Sequence, residues 1–486
     1  MSSPTPSAPA PAAPPVGHPD HPDHAAHARA TIALAIVGIF VTYVPITAVS
    51  VALTTIGTDT GASTAGLQWV SDAYVIPMAA AVLSAGVFGD ILGRRRVFLS
   101  GLLLTVLGGV TAGLGSALLD EHPLRLVWAG QAVAGLGAGL LIPTTLALIA
   151  QAVPDLRARG KFIGFWSMGL MAGLALGPIF SGTVLEVAAW HWIYAPSTTL
   201  AVVATLVALR LLPESVPVEG RRLDWSGQVT ATIAIAFSIF GIIEGGEQGW
   251  TSWQALLGLG VGAASVLAFL VIEHRSAAPL MDLGIFRSPA FSASGFAGVI
   301  AMFSIVGGMF LLSLFLGFVQ GLGALDIALR LLFATGLGVA VGPLAARLMQ
   351  RLKALHVLAL GLVVGATGLY SLTFITAETG VWDLGWRLAI FGLGNTTMMT
   401  AVTTAAINSA PLRMAGMAAA TNTVLRQYGA ALGPAILGVV FSHELAGGAT
   451  PEDAFAAALV TNVALLLVAA VVCLVAGRRE VHPGSR

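Results

Sequence analysis

The sequence has few charged residues, one cysteine and no excess of either charge. Only 9% of its 486 residues are Asp, Glu, Lys or Arg, whereas soluble domains carry about 25%, so the composition argues against a soluble enzyme. Twenty-three basic and 23 acidic residues give a net charge of zero, which removes the basic field that nucleic-acid binding requires. The single Cys473 has no partner for an intramolecular disulfide.

Long apolar runs are abundant instead. Apolar residues make up 56% of the chain, and blocks of about 20 residues, the length needed to cross a bilayer, recur from Thr31 onward. They predict an all-α polytopic membrane protein with fourteen transmembrane helices. The predicted spans are 31–56, 67–88, 97–118, 125–150, 161–186, 190–212, 225–245, 253–273, 291–320, 325–349, 355–377, 383–408, 415–440 and 453–476.

The distribution of Lys and Arg predicts the orientation. With fourteen spans both termini lie on one side, and that side holds 19 of these residues, against three near helix ends on the other side. Because cytoplasmic loops carry the excess of positive charge, we expect both termini in the cytoplasm and the protein in the cytoplasmic membrane. Residues 1–28 are rich in Pro, Ala and His and contain no apolar core of a signal peptide, so they predict a disordered tail without a metal site.

The turn after the second span contains an unusual run of glycines and charges. Glycine allows a loop to approach its neighbours closely, and an aspartate can pair with arginines or with a helix N-terminus. We interpret the run as a clasp that joins two helix bundles on the cytoplasmic face and releases when that face opens. The alternative is an ordinary basic loop. The residues of the run are Gly86, Gly89, Asp90, Gly93, Arg94, Arg95 and Arg96.

The fifth span contains a stripe of small residues. Gly169, Gly173 and Gly177 are spaced by four, with Pro178 and Gly182 after them, and this spacing keeps glycines near one face of a helix. Small residues there permit close helix crossing, and a proline removes one helical hydrogen bond and favours a bend. The stripe predicts a bending, sealing helix, or else a generally tight packing surface.

Both motifs resemble those of the major facilitator superfamily, and in particular of its 14-span drug:proton antiporter branch, the multidrug and antibiotic exporters. The resemblance covers residues 31–476 and includes Asp224-Trp225-x-Gly227 and Pro279-Leu280. It implies two six-helix halves, 31–212 and 291–476, around a central cavity. It also implies an inserted helix pair within 213–290, a C-terminal tail at 477–486, a gating role for the clasp and an antiporter role for the glycine stripe.

Two positions depart from the branch. In the fourth span Gln131 stands where the family has an arginine associated with proton coupling, and in the first span Pro45 stands where the branch usually has an aspartate. Ionisable and polar groups inside a membrane are costly, so their presence suggests a function. Five such residues within the predicted spans are candidates for the proton or substrate site. They are Asp72, Gln131, Asn395, Asn422 and Arg426.

The alternatives for these candidates are structural. In the structural alternative, Asp72 is a solvated carboxylate near a helix end. Arg426 then serves only to hold helices together by hydrogen bonds to backbone carbonyls or to Gln427. Amide and hydroxyl groups such as Asn395 can also bond within their own helix or to a neighbour.

The predicted function is export of amphipathic drugs or secondary metabolites by alternating access, driven by inward protons. No phosphate-binding loop of the nucleotide-binding kind is present, so we expect an ion gradient rather than ATP to supply the energy. We expect neither an enzyme nor a cofactor. The expected partners are the lipid bilayer, a small amphipathic substrate and protons, and the expected state is a monomer. An uncoupled or lipid-directed carrier and a non-transporting membrane sensor are the alternatives.

Overall fold

The protein is a bundle of long helices. A computed structural model describes residues 22–118, 123–153, 155–214, 224–276, 279–349, 351–410 and 415–479, and these contain fourteen long helices and no strand. They are α1 Pro22–Thr60, α2 Thr64–Leu92, α3 Arg94–Val110, α4 Pro123–Ala152, α5 Leu156–Val187, α6 Ala195–Leu211, α7 Trp225–Gln248, α8 Trp253–Arg275, α9 Pro289–Leu314, α10 Ala324–Met349, α11 Ala354–Leu372, α12 Val381–Asn408, α13 Ala415–Ala446 and α14 Pro451–Arg479.

Each predicted span corresponds to one of these helices. By length and apolarity, 11 helices of the described chain qualify as membrane spans, or 12 if the bent α2 counts as one. The two others are α10 and α12, and in α12 the polar run around Asn395 and Thr396 lowers the hydropathy. The all-helical membrane architecture is therefore confirmed, while the span count of fourteen stays a prediction.

The chain ends differ from the expectation. Helix α1 already begins at Pro22, and proline suits a first helical turn because the N–H it lacks would have no helical partner there. The predicted tail of residues 1–28 thus overlaps α1 from Pro22 onward, and residues 1–21 lie outside the described chain. Helix α14 continues to Arg479, beyond the predicted start of the tail at 477.

The helices form two halves with the same internal packing. In the first half, α1 packs on α5, α2 on α4, and α3 on α4 and α6. In the second half, α9 packs on α13, α10 on α12, and α11 on α12 and α14. Each pair in the second half is therefore a pair of the first half with eight added to both helix numbers. The two halves share one packing scheme.

Two seams join the halves. The first seam is the contact of α5 with α10, and the second seam is the contact of α2 with α13. The additional helix α7 packs against α2 and α13, and α8 packs against α7. The inserted pair therefore lies beside the second seam only. We call the face at which α1 begins and α14 ends the tail face, and the opposite one the far face.

Candidate transport pathway

The predicted clasp lies at the tail-face end of α2 and α3. Gly93 alone connects the two helices, and its φ of 94° is one that a glycine adopts without strain. Across this turn Asp90 and Arg94 form an ion pair of 3.9 Å, and Arg94 donates a 2.9 Å hydrogen bond to the Ala147 carbonyl of α4. Gly86 has no neighbour within 4 Å of where a Cβ would stand, so close packing does not explain this glycine.

The other arginines reach the end of α6. Arg95 donates to the Leu209 carbonyl at 2.8 Å and to the Glu214 carboxylate at 3.1 Å, and Arg96 lies 3.6 Å from the same carboxylate. These contacts tie α3 to its own half. A role of the clasp between the halves therefore stays a prediction. Gly89 contributes little packing, since only Arg94 approaches its Cβ position, at 3.7 Å.

The glycine stripe of α5 faces α1. A Cβ on Gly169 would stand 3.1 Å from the Ile36 carbonyl oxygen, one on Gly173 2.8 Å from that of Phe40, and one on Gly177 2.6 Å from that of Val44. The distances at Gly173 and Gly177 are too short for a side chain, and the one at Gly169 is tight. Gly182 faces the first seam instead, where its Cβ would lie 2.8 Å from the Leu325 Cα of α10.

Pro178 leaves one carbonyl of α5 without its helical donor. That carbonyl belongs to Leu174, four residues earlier, because proline has no N–H. The Thr47 hydroxyl of α1 donates a 3.0 Å hydrogen bond to it. The bend predicted at Pro178 thus coincides with a polar link between α5 and α1.

Helix α13 carries a second copy of the same motif. Gly429, Gly433, Pro434 and Gly438 repeat the spacing of Gly173, Gly177, Pro178 and Gly182. A Cβ on Gly433 would stand 2.5 Å from the Phe303 carbonyl oxygen of α9, as the α5 glycines stand against α1. This copy was not predicted above, although the same glycine and proline spacing occurs twice in the chain.

The last glycine of each motif closes a seam at the far face. Gly182 meets α10 in the first seam, and Gly438 meets the Gln68 side chain of α2 in the second. Between them, the Cβ position of Gly57 lies 3.3 Å from the Phe318 ring. Among the described glycines, the close contacts between the halves all lie towards the far face, so the structure is closed on that side.

Asp72 is buried in α2, one helical turn after Gln68 and on the same side of the helix. Its side chain is 0% exposed, and neither carboxylate oxygen has a hydrogen-bond partner in the described chain. The alternative of a solvated helix-end carboxylate is therefore wrong. Gln131 donates a 3.2 Å hydrogen bond to the Val70 carbonyl and so joins α4 to α2 two residues from Asp72.

Arg426 lies near the middle of α13 among polar groups from other helices. It donates to the Thr403 hydroxyl of α12 at 3.3 Å and interacts with the Tyr43 hydroxyl of α1, while its Nε atom is buried without a partner. The proposed lock on Gln427 is not formed, since Gln427 instead donates to the Met78 sulfur of α2.

The two asparagines among the candidates are incompletely bonded. Asn422, one turn before Arg426, is 1% exposed, and neither its amide oxygen nor its amide nitrogen has a partner. Asn395 of α12 is half-buried, and its amide oxygen also lacks a partner. The structure thus brings Asn422 and Arg426 together.

Asp72 and Arg426 occupy different levels of the second seam. Gln68 lies opposite Gly438 and Met78 opposite Gln427, so Asp72 is level with Pro434. Pro434 is eight residues from Arg426, which at 1.5 Å per residue is about 12 Å along the helix. Asp72 is on the far-face side of Arg426.

Two repeated helical halves, two seams and a polar interior define a membrane carrier. The family model of the Major Facilitator Superfamily matches residues 35–434. The chain belongs to this superfamily.

Curated relatives and a solved structure are similar over most of the chain. Multidrug resistance protein Stp of Mycobacterium tuberculosis is 30% identical over 416 residues, which are 85% of this chain and 76% of that protein. The tetracenomycin C resistance and export protein of Streptomyces glaucescens is 28% identical over 422 residues, again 85% and 76%. A POT family transporter crystallised with 5-aminolevulinic acid matches with a TM-score of 0.66 and 13% identity, over 92% of this chain and 95% of that one.

Proposed function

We propose that this protein exports amphipathic organic molecules, drugs or secondary metabolites, across the cytoplasmic membrane in exchange for protons. The names of its relatives, a multidrug resistance protein and an antibiotic resistance and export protein, support the export of such compounds. The paired seams support alternating access, in which two halves rock about a central site. One chain contains both halves, so a monomer is sufficient for this mechanism.

The observation that carries the proposed coupling is the unpartnered burial of Asp72. An ionised carboxylate in a dry interior without a partner costs on the order of several kcal/mol, whereas a protonated one costs much less. The second seam therefore closes on the protonated form of Asp72. Opening of the far face hydrates the side chain and favours its ionised form. Proton binding and closure of the far face are linked in this way.

A transport cycle follows from this link. The open far face supplies a proton to Asp72, and the far face closes. The proton then leaves towards the tail face, substrate enters from the same side, and the far face reopens. The excess of Lys and Arg at the tail face supports a cytoplasmic location for it, so the cycle moves substrate out and protons in.

The clasp would control the tail face in this cycle. Asp90 and Arg94 form their ion pair across the turn between α2 and α3. We expect Asp90→Asn to lower export while the protein remains in the membrane, because the substitution removes the charge that holds Arg94. Transport rates normalised to the amount of membrane-inserted protein measure this. An unchanged rate would remove the gating role.

Inverted membrane vesicles test proton coupling directly. Two dyes that share the xanthene ring system are offered to the vesicles, the anion fluorescein and the cation rhodamine 123. Uptake of each dye is measured with and without an acidic vesicle interior. We expect uptake of at least one dye to require the pH gradient. Asp72→Asn should abolish gradient-driven uptake but retain exchange of labelled for unlabelled dye.

Asp326→Asn is the matched control, because Asp326 lies in the first turn of α10, at the far-face end of the first seam. This variant should transport normally. Gradient-driven uptake by Asp72→Asn would show that another residue carries the proton. Dye uptake by the unmodified protein that does not depend on the pH gradient would contradict antiport itself.

A further inference from the structure

Arg426 carries a charge that the described protein does not neutralise. A guanidinium stays protonated at any physiological pH, and the ion pairs of the described chain involve other residues. Its interactions are with two neutral hydroxyls, those of Tyr43 and Thr403. An unneutralised cation near the middle of a membrane-spanning helix is costly and points to a function.

The neighbours of Arg426 are neutral polar groups that can donate hydrogen bonds as well as accept them. Asn422 and Arg426 both pack against Gly298 of α9. A Cβ atom at Gly298 would lie 3.2 Å from the Arg426 Cγ and 3.4 Å from the Asn422 Nδ2. We call Tyr43, Thr403, Asn422 and Arg426 the donor cluster. Its members come from α1, α12 and α13, and therefore from both halves.

Two donors of this cluster are unused. The Arg426 Nε–H and the Asn422 amide NH₂ are buried without a partner, as is the Asn422 amide oxygen, which is an acceptor, although buried polar groups in proteins are nearly always hydrogen-bonded. A guanidinium edge and an adjacent amide suit oxygen acceptors, and a guanidinium bonds most strongly to an anionic one. A purely structural role for Arg426 leaves both groups unexplained.

We infer that the donor cluster binds an acidic group of the transported substrate, so that the substrate is an organic anion with an apolar body. This inference rests on the proposed export function and adds the substrate's charge. Apolar residues packed in the same interior, among them Met302, Met399 and Val424, suit the remainder of such a molecule. The two methionines are flexible and polarizable and can adapt to varied shapes.

The position of Asp72 is compatible with an anionic substrate. Asp72 lies about two turns from the donor cluster along the seam and acts through closure of the far face, so it does not compete for the same atoms. Export of a monovalent anion in exchange for one proton moves two positive charges inward per cycle. Exchange of a monovalent cation for one proton moves none.

Binding to the purified, full-length protein in lipid nanodiscs is the first test. Fluorescence anisotropy follows fluorescein and rhodamine 123. We expect the protein to bind fluorescein, and Arg426→Gln to weaken this binding about ten-fold or more, as for loss of a charged hydrogen bond. Arg426→Lys should restore part of it, and rhodamine 123 binding should not fall in either variant.

Asn422→Asp separates binding from folding. The new carboxylate has nearly the same size and would pair with Arg426, so the protein should melt at an equal or higher temperature while fluorescein binding is lost. A structural Arg426 would instead change melting and affect both dyes alike. Tight fluorescein binding by Arg426→Gln, or binding of rhodamine 123 alone by the unmodified protein, would overturn the inference.

Transport distinguishes this inference from the proposed function. In inverted vesicles, a potential positive inside should stimulate fluorescein uptake. Gradient-driven uptake of rhodamine 123 without fluorescein uptake would uphold export and overturn the anion site. Arg426-dependent fluorescein binding without uptake of either dye would uphold the anion site and overturn export.

Discussion

The two seams between the halves have the same packing motif but different chemistry. In the first seam, Gly182 of α5 meets the backbone of α10 at Leu325. In the second, Gly438 of α13 meets the Gln68 side chain of α2, and Asp72 is buried one turn away. The donor cluster with Arg426 lies on the same helix α13, and α7 covers only this seam.

This difference separates movement from coupling. A repeated glycine and proline motif gives each half the same close internal contact, α5 on α1 and α13 on α9, so the two halves can move as similarly packed units. Ionisable groups in one seam make its closure sensitive to a proton. If this division is correct, substitutions of these glycines should affect both halves alike, whereas charge substitutions should act on the second seam alone.

The largest effect should come from filling the glycine contacts. Gly177→Ala and Gly433→Ala each place a methyl group against backbone atoms, and such overpacking typically costs about 1–3 kcal/mol. We expect a similar loss of thermal stability in both, because the contacts are equivalent. Gly260→Ala, in open space on α8, is the control and should lose none. A large loss in only one half would contradict the equivalence.

The next effect should come from the turn of the clasp, where the backbones of the two halves differ. Gly93 joins α2 to α3 with a positive φ, whereas Lys353, before α11, has a φ of -62°. Gly93→Ala should destabilise the protein by about 1–3 kcal/mol, the cost of strained backbone. Lys353→Ala should change stability much less. Thermal melts of both variants measure this, and equal stability of Gly93→Ala and the unmodified protein would refute the strain argument.

The two motif prolines should differ by a smaller amount. Pro178→Ala restores an N–H to the Leu174 carbonyl but displaces Thr47, which already bonds it. No hydrogen bond of the described chain takes the place of Thr47 at the Ala430 carbonyl that faces Pro434. Pro434→Ala should therefore gain more stability, by about 1 kcal/mol. Equal melting temperatures of the two variants would remove this asymmetry.

The smallest effect should come from the hydroxyl at the α1–α5 contact. Thr47→Val keeps the shape but removes the hydrogen bond to Leu174, which we expect to cost about 1 kcal/mol or less. Thr54→Val is the control on the same helix, because the Thr54 hydroxyl is buried without a partner. That variant should be neutral or slightly stabilised. Chemical or thermal denaturation of both proteins provides the comparison.

The helices were predictable because hydropathy is a local property. Most of the helices contain a predominantly apolar stretch long enough to span a bilayer, so their existence can be read without knowledge of their neighbours. The start of α1 at Pro22 was not predicted, since residues 22–28 have the composition of a tail. The motif of α13 was also missed, although its glycines are visible in the sequence, because its meaning depends on the match with α5.

The candidate site was likewise only partly predictable from the sequence. Asp72, Asn422 and Arg426 could be selected from the sequence, because polar groups are rare in apolar segments. The partners of Arg426 could not, since Tyr43 and Thr403 lie on other helices and resemble many other hydroxyl residues. Gln131 was selected by the same rule; its amide nitrogen bonds α4 to α2, and its role in the cavity stays a prediction.

The sequence by itself determined the class of protein, the helices and the positions of the two main motifs. These follow from local physical properties, namely hydropathy, the distribution of charge and the spacing of glycines. Only the tertiary structure decided which seam is polar, that Asp72 is fully buried and that Arg426 meets Tyr43. Such pairings depend on how distant segments pack, and burial sets the energetic consequence of each charge.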